Sequence, residues 1–440
     1  MPKRHHSFEF LDWNLNTNNY QLTLHYRCEL LGKLTETLYL PQFIITESKK
    51  QALDKACQLI HLMCGVSYYK FGLATEIKFA GDTPSHEMAL FIEKTWKHGL
   101  AELVYCNDLD GFTFDFVGVE GGNNKGVSTL LPCKRVLTPL LLPPLTTPLS
   151  LVPLGGGKDS LVTLEELKAQ DKNITLFMVG SSQLIKDIAK FTQLPLLQVK
   201  RKIDQKLIDG NKTGQGFNGH VPITAINSCI SVLCALLYGF NEIVFSNERS
   251  ADSANTVNST GLNVNHQYSK SHEFERDLQK LIQLEISEKL DYYSQQRAFS
   301  ELAILKKFSQ YPQYFPVFSS CNRNFHIDGS HNSRSLWCCD CPKCRFVFLG
   351  LAVFIEKQQL LTIFGKNLLA DPKQKQGFAE LLGLQGIKPF ECVGEIEESQ
   401  FALTLLKDKV EWRDETLVQY FVAKIPPLSI NQQQKIMQPS

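Results

Sequence analysis

The stretch Gly155-Gly156-Gly157-Lys158-Asp159-Ser160 has the residue types of an anion-binding turn. The run from Leu149 to Leu154 before it is apolar and strand-like. Leu161, Leu164 and Leu167 after it fall at helical spacing. A strand, a glycine-rich turn and a helix start bring several backbone N–H groups and the positive end of a helix to one point, which suits a phosphate. Ser160, in the first helical turn, can hydrogen-bond a phosphate oxygen. The loop is not a Walker A motif, because Asp159 follows Lys158 and Val152 stands five residues before Gly157. It is not a dinucleotide fingerprint either, because Ser160 occupies the place of the third glycine.

Two further stretches carry chemistry. Cys338, Cys341 and Cys344 are spaced three apart, and Cys321 completes a set of four. Thiolates at C-x-x-C spacing close a tetrahedral zinc site, and four of them leave no open position, so the metal would be structural. An iron–sulfur cluster uses the same ligand set. Cys339 is the spare, although it can exchange roles with Cys338. The polar run Ser246 to Asn255 follows an apolar strand and places Glu248 and Arg249 beyond it, with His266 and Lys270 further on. On a helix begun at Ser271, His272 and Arg276 share a face. His220 precedes Pro222 at a helix start. A histidine or a carboxylate among these suits a general base.

The elements that would position these groups fall in two patterns. Residues 7 to 42 partly alternate and read as a small antiparallel sheet with a turn at Asn16 to Asn19. Helices are expected over 50–65 and Glu87 to Val104, with a strand at Thr75 to Phe79. Leu137 to Pro148 reads as a linker. From 149 onward strands and helices alternate. Strands are expected at 149–154, 174–179, 194–199, 242–246 and Val317-Phe318, with a long helix from Pro222 closed by Gly239. Alternation implies an α/β fold, a mostly parallel sheet with helices on both faces. Ligands then bind beyond the strands' carboxyl ends, at 155–160, at Lys200-Arg201-Lys202 and at 246–276. The organisation expected is an N-terminal α+β domain (1–136), an α/β domain (149–320), and a cysteine cluster with a helical tail (321–440).

Composition narrows the function. The 440 residues carry a formal net charge of +1, without the basic excess of a nucleic-acid binder. No apolar run approaches the roughly 18 residues that span a membrane, and the N-terminus lacks a signal peptide's apolar core. Thirteen cysteines in such a chain do not read as a disulfide scaffold.

The glycine loop resembles the S-G-G-x-D-S loop of the PP-loop ATP pyrophosphatases, which have a Rossmann-like α/β core. Gly155 stands where that loop has serine, so one hydroxyl is missing. A PP-loop with a late cysteine cluster resembles the 7-cyano-7-deazaguanine synthases, which are shorter. More of the chain resembles the UDP-N-acetylmuramoyl-L-alanyl-L-glutamate epimerases (the MurL family). The likeness rests on Gly65 to Lys70, Pro153 to Ser160, Gly219 to Asn227, Ser246 to Ser250, Val264 to Ser271 with Glu273 to Arg276, Cys341 to Phe346 and Lys388 to Glu395. This resemblance implies a bacterial cytoplasmic enzyme of peptidoglycan precursor synthesis. It would invert the terminal L-Glu of UDP-MurNAc-L-Ala-L-Glu through an acyl-adenylate, releasing AMP and diphosphate. ATP phosphates would sit on Gly155 to Ser160, with Mg²⁺ near Asp159 and a structural Zn²⁺ on the cysteines. Arg249, Lys270 and Arg276 would hold UDP phosphates or glutamate carboxylates, and Glu248, His220, His266 and His272 are the acid and base candidates. The stretch from Gly383 through Lys388 to Glu395 either folds back as a lid or caps the domain. Other readings are an amide- or nitrile-forming ligase, a tRNA thiolase and a non-enzymatic ATP sensor. The oligomeric state is left open.

Overall fold

The computed structural model describes residues 2–109, 116, 148–325 and 336–439. Strands β1 (Ser7–Asn16), β2 (Gln21–Cys28) and β3 (Gly32–Tyr39) form the expected antiparallel meander. At its first turn Asn16 Oδ1 accepts from the Asn18 N–H at 2.8 Å. Helix α1 (Lys50–Gly72) runs a full seven residues past the expected 65 and stops at Leu73, whose φ of 43° is left-handed. Strand β4 (Glu76–Phe79) pairs parallel to β1. The helix expected over Glu87 to Val104 divides at Leu100 into α2 (His86–Gly99) and α3 (Ala101–Cys106). The Leu137–Pro148 stretch lies, apart from Pro148, outside the described residues.

The alternating part follows as β5 (Leu149–Pro153), α4 (Lys158–Ala169), β6 (Asn173–Val179), α5 (Gln183–Thr192), β7 (Leu196–Lys202), α6 (Gln205–Lys212), α7 (Ile223–Tyr238) and β8 (Glu242–Phe245). Gly239 closes α7 as expected, with φ +80°. A two-stranded ribbon, β9 (Thr256–Val257) and β10 (Asn263–Val264), precedes α8 (His272–Leu281), β11 (Asp291–Ser294) and α9 (Glu301–Phe308). The remaining described elements are helical: α10 (Pro342–Phe354), α11 (Lys357–Phe364), α12 (Lys375–Leu381), α13 (Ile396–Lys407), α14 (Thr416–Val422) and α15 (Ile430–Met437).

Among the described residues one nine-stranded sheet runs in the order β11-β8-β5-β6-β7-β3-β2-β1-β4. It is parallel from β11 to β7 and antiparallel from β7 to β1. Successive strand residues enter opposite cores. Leu151, Phe177, Ile243 and Phe245 pack with α1 and α7, whereas Val152, Leu176, Met178 and Val244 pack with α4 and the C-terminal helices. That alternation, apolar on both faces, is what a sheet covered by helices on both sides requires.

Two expectations are corrected. Lys200-Arg201-Lys202 does not lie beyond a strand end but inside β7, where it pairs with Tyr39, Leu38 and Thr37 of β3. The charge is tolerated because Arg201 meets the buried Glu36 in a fork, Nε–Oε1 2.6 Å and a terminal nitrogen to Oε2 3.2 Å, and also donates to Ser67 Oγ at 2.9 Å. Val317 and Phe318 do not form a strand. They follow a single 3-10 turn, and Phe318 is apolar because it packs with Phe308, Phe315 and Trp337. The outer parallel strand is instead β11. Removing one partner of a buried ion pair strands the other charge, at a cost of about 3–5 kcal/mol. Arg201→Met is therefore expected to lower stability by that amount in urea titration; an unchanged midpoint would mean that the fork does not hold the two halves of the sheet.

Candidate active site

The parallel strands reverse direction of growth between β5 and β8: β6 and β7 add on one side of β5, β8 and β11 on the other. Crevices at such switch points, beyond the strands' carboxyl ends, are where open α/β sheets bind ligands. The glycine loop follows β5 and the 246–276 segment follows β8, so both open on this crevice.

The loop is shaped by close approach. Gly156 has φ +79°, and a Cβ there would stand 2.8 Å from Leu184; a Cβ on Gly157 would stand 2.7 Å from Ser320 Oγ. The Ser319 N–H donates to Gly156 O at 3.0 Å and fixes Ser320 against the loop. Ser320 is 7% exposed, and its hydroxyl has no hydrogen-bond partner among the described residues. Gly155 has open space around its Cβ position.

Lys158, the first residue of α4, turns into the protein at 2% exposure. Its Nζ is 2.6 Å from Asp159 Oδ1 and also bonded to Glu301. Burial opposes ionisation of Asp159, but Lys158, Lys343 and Lys270 outweigh it and hold its pKa below the usual value. Glu301 is pushed up by burial and by Asp159. Glu248 is buried as expected of a site residue but caps the 3-10 turn after it, accepting from the Ala251 N–H at 3.1 Å. Burial, with Glu301, Glu398 and Asp159 nearby, raises its pKa well above the ordinary carboxylate value. Three lysines thus favour the anion at Asp159, while burial among carboxylates favours the protonated form of Glu248. Glu398 of α13 ties this layer together, accepting from Ser250 Oγ at 2.5 Å and the Leu302 N–H at 2.6 Å.

Beside the carboxylates lies an acid–base group. His266 Nδ1 is 2.5 Å from Glu102 Oε2, and its ring centroid is 4.2 Å from that of His220. Cys392 lies close enough to act on His266, and its sulfur accepts from Lys270 Nζ at 3.0 Å. Burial would lower the His266 pKa, but Cys392 and Glu102 raise it to about 9. Burial, then the charges of His266, Lys270 and Lys70, lower His220 to about 3, so it stays neutral. Lys70 of α1, lowered by burial to about 8, holds the turn that carries His220 through Asn218 Oδ1 at 2.6 Å. Ligand atoms of Glu102, His220 and His266 lie within 4.8 Å of one another, a spacing a metal could use. Lys270 and a protonated His266 give the spot a positive character instead, which favours proton handling and anions.

The structure therefore brings together Asp159, Glu248, Lys270, His266 and His220. It does not bring in the others. Arg249 donates to the Lys435 and Ala298 carbonyls, His272 is exposed at the start of α8, and Arg276 is exposed beside Asp277 at 3.6 Å. Sequence reasoning missed Glu102, Glu301, Ser320, Lys343 and Cys392. Cys392 and Lys343 sat in marked stretches, and the Lys388–Glu395 stretch packs against the site: Asn255 Nδ2 donates to Pro389 O at 2.8 Å and the Lys343 N–H to Glu391 Oε2 at 3.3 Å.

The four clustered cysteines also meet. Sulfurs of Cys321, Cys338, Cys341 and Cys344 lie within 4.8 Å of one another, with Cys341–Cys344 at 3.5 Å and Cys338–Cys344 at 3.7 Å. A tetrahedron with metal–sulfur bonds of about 2.3 Å has edges of about 3.8 Å. The set could hold a structural metal. Cys339 is turned away, its sulfur 3.3 Å from Phe364 O. No helix among the described residues is long and apolar enough to cross a membrane.

Residues 1–295 match the family model described as the MurL N-terminal domain, and residues 317–436 that of the MurL C-terminal domain. Three relatives bear the name UDP-N-acetyl-alpha-D-muramoyl-L-alanyl-L-glutamate epimerase. The protein from Xanthomonas oryzae pv. oryzae is 38% identical over 96% of this chain and 90% of its own length. That from Salinispora tropica is 38% identical over 89% and 81%, and that from a Micromonospora species 37% identical over 89% and 83%.

Proposed function

The chain belongs to the MurL family of epimerases, and on that premise we propose that it inverts the terminal glutamate of UDP-MurNAc-L-Ala-L-Glu at the expense of ATP. The observation that carries the reading is an acid–base group, Glu102, His220, His266, Lys270 and Cys392, set against a glycine loop at the sheet's switch point. Neither half suffices alone. Removing the α-proton beside a free carboxylate would pile charge on a group already negative. ATP supplies an acyl-adenylate, in which the glutamate carbonyl has no charge of its own and can accept the electron pair as an enolate. Cations facing that oxygen lower its energy, and Lys270 and Lys343 are cations that act on both Asp159 and Cys392. Hydrolysis afterwards makes the inversion irreversible and leaves AMP and diphosphate.

The loop suits a triphosphate. Its backbone N–H groups and Ser160 offer donors, and Asp159, kept ionised, is the ligand for Mg²⁺. Lys158 acts by holding Asp159. The unpartnered Ser320 hydroxyl lies against Gly157 and offers a further donor to a loop that lacks its leading serine. A hydrogen bond to a charged oxygen contributes about 1.5–3 kcal/mol. Ser320→Ala is therefore expected to raise the KM for ATP by about ten- to a hundredfold. Gly155→Ser, which the open space permits, should restore it in the same background. An unchanged KM in Ser320→Ala would remove Ser320 from the phosphate site. Zinc on the four cysteines is structural in this reading, and the nucleotide-linked substrate places the enzyme in the cytoplasm.

The reading is tested by incubating the protein with the L,L-substrate, ATP and Mg²⁺, then analysing glutamate chirality after acid hydrolysis. D-Glutamate with AMP in step supports it. AMP without inversion would favour an amide- or nitrile-forming ligase, and inversion without ATP would remove the adenylate.

A further inference from the structure

Of the groups at the crevice, Cys392 lies in a marked stretch, Lys388 to Glu395, but was given no role there. It reaches the site across 122 residues from Lys270. Its segment is seated from several sides: Pro389 on Asn255, Phe390 on Tyr105 with ring centroids 6.0 Å apart, and Glu391 on the Lys343 backbone. The thiol is half-buried and faces Lys270, His266 and Lys343. Burial opposes the thiolate, but these three groups outweigh it and hold the pKa well below the ordinary thiol value. It has no disulfide partner among the described residues.

The alternatives at the site are less suited to taking a proton. Burial and neighbouring carboxylates favour the protonated form of Glu248, His266 holds a proton, and burial, then the cations around it, keep His220 from taking one. Asp159 is an anion committed to Lys158. Cys392 is different, because its negative charge is matched before and after the transfer. When a thiolate takes the α-proton, the charge moves to the enolate oxygen. The same lysines and imidazolium then face that charge, so little must reorganise.

From the contact of Cys392 with Lys270 and His266 beside the glycine loop, we propose that Cys392 is the base that removes the glutamate α-proton. The α C–H bond breaks, its electron pair moves into the carbonyl as an enolate, and the proton goes to Sγ. Water then protonates the opposite face of the carbon, and the hydroxide so formed takes the proton from the Cys392 thiol. The proposal rests on the epimerase reading above and deepens it.

The test compares wild type with Cys392→Ser and Cys392→Ala. D-Glutamate formation is expected to fall about 10²–10⁴-fold, the usual size of a general-base contribution. AMP release should fall less, so that the ratio of inversion to AMP drops. Loss of packing alone would lower both together. In parallel, wild type is treated with iodoacetamide at neutral pH and its peptides are weighed. Cys392 should be carboxamidomethylated faster than the exposed Cys106, substrate should slow it, and inversion should be lost in step. This arm does not depend on how the variants fold. Wild-type inversion with an unaffected Cys392→Ser would overturn the proposal and leave the epimerase standing. Labelling of Cys106 but not Cys392 would also overturn it. So would an acyl-enzyme on Cys392 in acid-quenched intact mass, which would make the sulfur a nucleophile. A wild type that never inverts glutamate would bring down the epimerase reading itself.

Discussion

In an Asp159→Asn variant, AMP release and glutamate inversion are expected to fall together by about a hundred- to a thousandfold, the usual size of losing one well-placed electrostatic group. The argument runs through Lys158. Its single charge is buried among Asp159 and Glu301, with Glu248 close by, and the nearby Lys343 and Lys270 make Asp159 the member that stays ionised. Asparagine keeps the shape and leaves Lys158 its bond to Glu301, so stability should change little while the anion that would bind Mg²⁺ is lost. A higher Mg²⁺ concentration should recover part of the rate. If AMP release collapsed while inversion persisted, the two would not be coupled. If neither changed, the glycine loop would not be the nucleotide site.

Removing the metal should have the largest effect on stability. Four sulfurs within 4.8 Å, with two measured edges at 3.5 and 3.7 Å, already approximate the tetrahedron that zinc imposes. Structural zinc binding in small domains is worth about 10–16 kcal/mol, far more than any pair of side chains here. The metal would clamp Cys321 to the start of α10, and Ser319 and Ser320, which hold the glycine loop, lie immediately before Cys321. Chelation or Cys344→Ser is therefore expected to release one zinc per chain, to lower the melting temperature by many degrees, and to raise the KM for ATP as Ser320 loosens. A protein that carries no metal and melts unchanged in Cys344→Ser would show that the thiols pack without one. Iron in elemental analysis would point to a cluster instead.

Local chemistry was legible wherever the relevant neighbours are close in sequence. The strand, glycine turn and helix at 149–169 are a local pattern, and so are the C-x-x-C spacings and the closure of α7 by Gly239. Sites made by distant pairing were not legible. Lys200 to Lys202 look like a charged loop because Glu36, which neutralises Arg201, lies 165 residues away. Phe318 looks like a strand residue because an aromatic cluster and a buried strand favour the same residue types. Asp291 to Ser294 is too short and too polar to announce an edge strand, yet β8 gives it a partner. Cys392 and Ser320 have no spacing that marks them. Their chemistry comes from Lys270, His266 and Gly157, which the fold delivers from elsewhere. Arg276 and His272 do lie near each other on α8, as their spacing predicts, but the helix turns both to solvent.

The most direct test is incubation in D₂O with UDP-MurNAc-L-Ala-L-Glu, with and without ATP and Mg²⁺, read by mass spectrometry and chiral analysis of the glutamate. The account predicts D-glutamate carrying one α-deuterium, formed only with ATP and in step with AMP. D-Glutamate without deuterium, or AMP with neither inversion nor deuterium, would contradict it.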